Sequence, residues 1–212
     1  MKSIVVATKN RGKLKEFQEM LRDVPLKLLS LLDYPAIEVE ENGKTFEENA
    51  LIKAKKVVEL TGRAALSDDS GLEVEALGGR PGVYTARYAG PAASDRENIE
   101  KLLKELDGVP QEERKARFVC CLCFALPDGR IFIERGYLEG YITFEPKGSM
   151  GFGYDPVFFV PELKKTLAEA GLEEKNSVSH RARAMEKMKK HLLQFAKSIH
   201  GSGGAVLEDS GN

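Results

Sequence analysis

The stretch Ser3–Lys13, SIVVATKNRGK, sets the reading of the fold. Its first half is a short run rich in β-branched residues, which fits a buried strand. It breaks at Lys9-Asn10-Arg11-Gly12 into a segment carrying Leu14, Phe17, Met20 and Leu21 on one helical face. A strand feeding directly into a helix is the repeating unit of layered α/β sheets. Outward from it, Leu26–Leu31 reads as a second strand. Thr45-x-x-Glu48 has the form of a capping box, opening a helix with Phe46, Ala50, Leu51, Ala54, Val57 and Val58 on one stripe and Gly62 at its stop. Ala64–Ser67 reads as a strand, and Leu72–Val74 as the start of another after a break at Asp68–Gly71. Leu77–Gly90, rich in Gly, Pro and Tyr, reads as a long ordered loop, and Ser94-x-x-Glu97 as a second capping box. Ala116–Leu126 and Arg130–Thr143 flank Pro127-Asp128-Gly129, a hairpin signal. A glycine-rich loop, Pro146–Asp155, precedes the strand Val157–Val160. Met185, Met188, Leu192, Phe195 and Ile199 recur at helical spacing between His180 and His200. The expectation is an α/β fold: an elongated mixed β-sheet with flanking helices, two lobes around a central cleft. Residues 1–200 form one domain in this reading, and the Gly/Ser-rich residues 201–212 a flexible tail.

Composition narrows the function classes. The chain has 212 residues, 42% hydrophobic and 31% charged, and its 32 Lys+Arg against 33 Asp+Glu leave a net charge of −1. No global field attracts nucleic acid or a membrane surface. The uncharged apolar stretch Phe118–Pro127 is far short of the ~20 residues of a membrane span. Three cysteines crowd at Cys120, Cys121 and Cys123, which is no disulfide framework and suits a reducing, cytoplasmic compartment. Alternation on a strand puts Cys121 and Cys123 on one face and Cys120 on the other, as packing thiols.

Four segments carry chemistry. Thr8–Lys13 sits at a strand-to-helix junction, where unpaired N–H groups, the helix dipole and Lys13 suit phosphate oxygens; a plain turn capped by Asn10 fits the same residues. Ser67–Gly71 holds the adjacent carboxylates Asp68 and Asp69. On an extended backbone they point to opposite faces, so one can serve the cleft while the other anchors. Their repulsion favours a cation or a raised pKa, and Glu38, Glu40 and Glu41 offer further oxygen ligands for a hard cation such as Mg²⁺. Gly148–Asp155 surrounds Phe152 and Tyr154 with glycine, allowing an aromatic ring to stack on a flat ligand while Asp155 accepts from ring N–H groups. Lys175–Arg183 enters the last helix with Ser179 as cap. His180 and Arg181 in its first turn oppose the local dipole, which hints at an anionic or carbonyl-bearing ligand.

Together and in this order the motifs resemble the inosine triphosphate pyrophosphatase family: Thr8-x-Asn10-x-x-Lys13, Phe46-x-Glu48-Asn49-Ala50, Asp68-Asp69-Ser70-Gly71-Leu72, Leu77-Gly78-Gly79-x-Pro81-Gly82-Val83-Tyr84, Gly151-Phe152-Gly153-Tyr154-Asp155-Pro156 and Ser179-His180-Arg181. The resemblance spans Ser3 to Ile199. It implies Mg²⁺-dependent cleavage of non-standard purine nucleoside triphosphates (ITP, dITP, XTP) to monophosphate and pyrophosphate by a homodimer, with no nucleic-acid or membrane partner. Carried over, Asp69 matches the catalytic acid/base and, with Glu40, the metal side. Thr8, Asn10, Lys13 and Lys53 match the residues that hold the triphosphate and Ser70 a substrate contact, and Lys9, Arg11 and Gly12 are counted with them in the substrate-binding segment. Phe152, Gly153, Tyr154, Asp155, Lys175, His180 and Arg181 match the purine pocket. Lys9 and Ala170-Gly171 depart from the family pattern. A Maf-like pyrophosphatase would lack the Ser-His-Arg segment, and an RNA-binding module would call for a basic pI rather than one near 6.4.

Overall fold

A computed structural model describes residues 1–198 of the chain. Ile199, His200 and the tail 201–212 lie outside the described residues. Seven strands, β1 (Lys2–Val6), β2 (Leu26–Ser30), β3 (Ala64–Val74), β4 (Lys115–Ala125), β5 (Ile131–Ile142), β6 (Phe158–Val160) and β7 (Lys165–Thr166), form one mixed sheet. Its order is β2-β1-β3-β4-β5-β6-β7, parallel across β2, β1 and β3 and antiparallel beyond.

Local chemistry starts each helix. In α1 (Arg11–Met20), the Asn10 side chain accepts from Lys13 N at 3.0 Å. Thr45 caps α2 (Phe46–Thr61) by accepting from Glu48 N. The expected capping box is only half made there, because the Glu48 carboxylate accepts from Lys44 N instead. Ser94 and Glu97 complete theirs at α3 (Asp95–Glu105). The chain then adds α4 (Leu172–Val178), a helix the sequence reading left out, and α5 (His180–Lys197), whose cap Ser179 accepts from Ala182 N.

Buried faces assemble the layers. Phe17 and Leu21 of the α1 region and Ala184, Met185, Met188 and Leu192 of α5 cover one side of the sheet. Phe46, Ala50 and Ala54 of α2 cover the other. A separate core gathers Leu72 and Val74 of β3, Phe118 of β4, Leu138 and Ile142 of β5, and Ile99 and Leu102 of α3. Thus β3, β4 and β5 pass from the first of these cores into the last, and the polar centre of β3 lies where one gives way to the other.

That centre corrects an expectation. Asp68–Gly71 is no break between two strands: β3 is continuous over Ala64–Val74, pairing with β4 through Asp68↔Leu122, Asp69↔Cys121 and Ser70↔Cys120. Acidic residues persist inside a buried strand because charges from the helices on both faces compensate them. The cysteines fall as read, Cys120 in one core and Cys121 and Cys123 in another, all buried.

Candidate active site

A cleft of about 620 Å³ opens over the middle of β3. Its walls take Thr8, Lys9, Asn10 and Lys13 from the first segment, Glu38–Glu41, Lys53, Asp68, Asp69 and Ser70 from the acidic group, and Phe152–Asp155, Lys175, His180 and Arg181 from the last two. The four chemical segments of the sequence therefore converge. Arg11 and Gly12 do not line the cleft. Gly12 instead admits the Phe152 ring: a Cβ at position 12 would stand 2.8 Å from its Cδ1.

Strand alternation separates the two central carboxylates. Asp69 faces α2, where Lys53 Nζ reaches Oδ1 at 3.1 Å and Asn49 Nδ2 donates to Oδ2 at 3.2 Å. Lys53 also holds Glu41 Oε2 at 3.1 Å. Burial raises the Asp69 pKa, Lys53 opposes it and Glu41 adds to it, leaving the carboxyl at about 6. Lys53 itself is buried, and the neighbouring acids outweigh that burial and keep its ammonium charged.

Asp68 faces α1 and α5. Its Oδ1 takes the Lys13 ammonium, and its Oδ2 takes Arg181 Nε at 3.1 Å, Ser70 Oγ at 2.5 Å and Cys120 Sγ at 3.2 Å. Burial alone would raise its pKa, but Arg181 and Lys13 hold it well below the usual carboxylate range. Arg181, only 1% exposed, also binds Glu16. Three of its five N–H donors are thus engaged within the protein, by Asp68, Glu16 and Ser70.

In the aromatic part of the lining Lys175 Nζ lies 2.6 Å from Asp155 Oδ2, 3.0 Å from Glu16 Oε1 and 4.5 Å from the centre of the Phe152 ring. Phe152 N also donates to Asp155 Oδ2, at 3.0 Å. Tyr154 is buried and donates to Thr85 O, so it serves as wall rather than free stacking ring. His180 stacks on Phe118 with centroids 4.8 Å apart; burial, then Arg181, keep its imidazole neutral, and Nδ1 has no partner. Gly136 of β5 makes this corner possible, since a side chain there would collide with the His180 carbonyl and Ala184 N.

Sequence reasoning missed Glu16 and Asn49 as site residues. Both were detectable by helical spacing: Glu16 follows Lys13 by three residues beside Phe17, and Asn49 precedes Lys53 by four. It also missed Asp95, whose carboxylate accepts from Gly153 N at 2.6 Å at the cleft wall.

A mixed α/β sheet with a charged, partly aromatic cleft over its central strand defines the class of protein. The chain belongs to the Ham1 family, whose model matches residues 4–191. It is 54% identical over 193 residues to the dITP/XTP pyrophosphatase of Geobacter sulfurreducens, covering 91% of this chain and 97% of that one. The dITP/XTP pyrophosphatase of Halalkalibacterium halodurans is 52% identical over 193 residues, 91% of this chain and 100% of its own. Among solved structures, the Coxiella burnetii HAM1 protein aligns with TM-score 0.84 and 42% identity, and the Staphylococcus aureus Ham1 protein with 0.82 and 40%. Each alignment covers 92% of this chain and 100% of the other. The family resemblance and the α/β class expected from the sequence are both borne out.

Proposed function

We propose that this chain, a nucleoside-triphosphate pyrophosphatase, hydrolyses dITP, XTP and ITP to the monophosphate and pyrophosphate, using Mg²⁺. One observation carries the reading: a single cleft is lined by a lysine-bearing helix start, by Asp69, and by an aromatic pocket with acceptor and donor side by side. That lining suits a triphosphate and a flat base held in one site. The relatives' names supply the substrate class.

In this mechanism Thr8, Asn10 and Lys13 hold phosphate oxygens at the start of α1. Water attacks the α-phosphorus as the bond to the departing pyrophosphate breaks. Asp69 takes the water's proton; a carboxyl near pH 6 is ionised at neutral pH yet basic enough to accept it. Asn49 and Lys53 fix the carboxylate in place. The acidic wall also suits a divalent ion. Among the described residues no three acid, His or Cys side chains form a ready cage. Mg²⁺ needs none, since it binds through one or two carboxylates together with substrate phosphates and water. Asp69 with Glu40 or Glu41 would hold it, and when bound it neutralises phosphate oxygens.

In the base pocket Asp155 accepts the N1–H that 6-oxopurines carry and adenine lacks. Residues 1–200 act as one domain, and the same reading takes the chain to be a cytoplasmic homodimer. The buried thiols Cys120, Cys121 and Cys123 support a reducing setting. Pyrophosphate release from a nucleotide panel with and without Mg²⁺ tests the reading. ITP, dITP and XTP should exceed ATP and GTP in kcat/KM by at least ~10²-fold. Comparable values for ATP and ITP would overturn it.

A further inference from the structure

An unbroken row of alternating charges, five of whose six members line the cleft, joins Asp155 to Lys13. Asp155 pairs with Lys175 at 2.6 Å and Lys175 with Glu16 at 3.0 Å. Glu16 pairs with Arg181, Arg181 with Asp68 at 3.1 Å, and Asp68 with Lys13. Three acids thus face three bases. All but Lys13 are at most 4% exposed, so water screens little of their attraction. Glu16 is the middle acid. It lines no part of the cleft, yet it is the side chain through which the base-pocket lysine meets the arginine that anchors Asp68.

We propose that Glu16 is a positioning residue that transmits occupation of the base pocket to the phosphate grip of Lys13. This rests on the triphosphate reading of the cleft. The direction follows from the alternation. A base that donates an N–H to Asp155 weakens that carboxylate's hold on Lys175. Lys175 turns more fully to Glu16, Glu16 releases part of Arg181, and Arg181 leans on Asp68. Asp68 then holds Lys13 less, and the ammonium is free for a phosphate oxygen. Inosine, with its N1–H, drives this sequence. Adenosine has an acceptor at N1 and does not. The row therefore converts base identity into phosphate affinity, a selectivity beyond direct contact with the base.

Calorimetric titration of the full chain with tripolyphosphate, alone and with saturating inosine or adenosine, tests this without turnover. Inosine should tighten tripolyphosphate binding by at least about five-fold, the lower range of ordinary coupling between sites, and adenosine should leave it unchanged. In Glu16→Gln, which keeps the shape but removes the charge, each ligand should still bind and the inosine effect should vanish. A merely structural role would weaken both ligands and leave the coupling intact. Independent binding in the wild type overturns the proposal whether or not the variant folds, and so does undiminished coupling in Glu16→Gln. Failure of the wild type to bind tripolyphosphate or inosine at all would instead overturn the reading of the cleft.

Discussion

Asp68 and Asp69 are chemically identical neighbours on one strand, and the protein treats them in opposite ways. Asp68 is fully compensated: Lys13, Arg181, Ser70 and Cys120 surround it, and its proton is held off far into acid. Asp69 is under-compensated, with one lysine shared with Glu41 and one amide, and its pKa climbs to about 6. The difference arises from strand alternation, which points one carboxylate at α1 and α5 and the other at α2. A satisfied charge organises structure, whereas an unsatisfied one retains affinity for protons and cations, as a general base or metal ligand must.

Removing the compensated member should have the largest effect, and on stability. Asp68→Ala leaves Arg181 and Lys13 short of a buried partner, a loss of about 3–5 kcal/mol by analogy with other broken buried pairs. Chemical denaturation measures it. A loss below about 1 kcal/mol would mean that the network on that face is slack. Next comes the under-compensated member. Asp69→Asn should cut pyrophosphate release by ~10²-fold or more while nucleotide still binds. The same change should stabilise the free protein, because Asn mimics the protonated form that the site prefers. The pKa elevation sets an upper bound of about 3 kcal/mol at neutral pH in buffer free of divalent ions. An Asp69→Asn protein that is both inactive and less stable would break the contrast.

The fold was readable wherever local chemistry and burial agreed. The start of α1, the Ser94–Glu97 box and the β4–β5 hairpin announce themselves through Asn10, Ser94 and Pro127-Asp128-Gly129. It was unreadable where tertiary partners override local rules. Asp68-Asp69-Ser70-Gly71 has turn composition, and only Arg181 and Lys53, distant in sequence, make it tenable inside a strand. Leu172–Val178 is too short to show a period, and its charged run resembles loop. The site followed the same division. Asp69, Lys13 and Asp155 stand in motifs, but Glu16 is one acid on an amphipathic helix, and its burial depends on residues more than 150 positions away.

The smallest effect sharpens the comparison through pH. Asp69's folded pKa is raised, so its contribution to stability is fully present below its unfolded value near 3.8 and is lost as pH rises through about 6. His180, on the Asp68 side, behaves in the reverse sense. Burial and Arg181 depress its pKa, so the unfolded chain takes up a proton below about 6.5 that the native state refuses, and stability falls as the solution is acidified. Between about pH 4.5 and 6.5 the two slopes oppose each other, each with a ceiling of about 1.4 kcal/mol per pH unit. Single variants should separate them. In His180→Gln, Asp69 acts without that opposition, and the free protein should gain stability relative to wild type on going from pH 6.5 to 4.5. In Asp69→Asn, His180 is left alone and the protein should lose stability over the same interval. Thermal unfolding at several pH values, again without divalent ions, gives both differences. Profiles parallel to wild type in both variants would show that neither group titrates as its surroundings require, and the division of labour across β3 would fail with them.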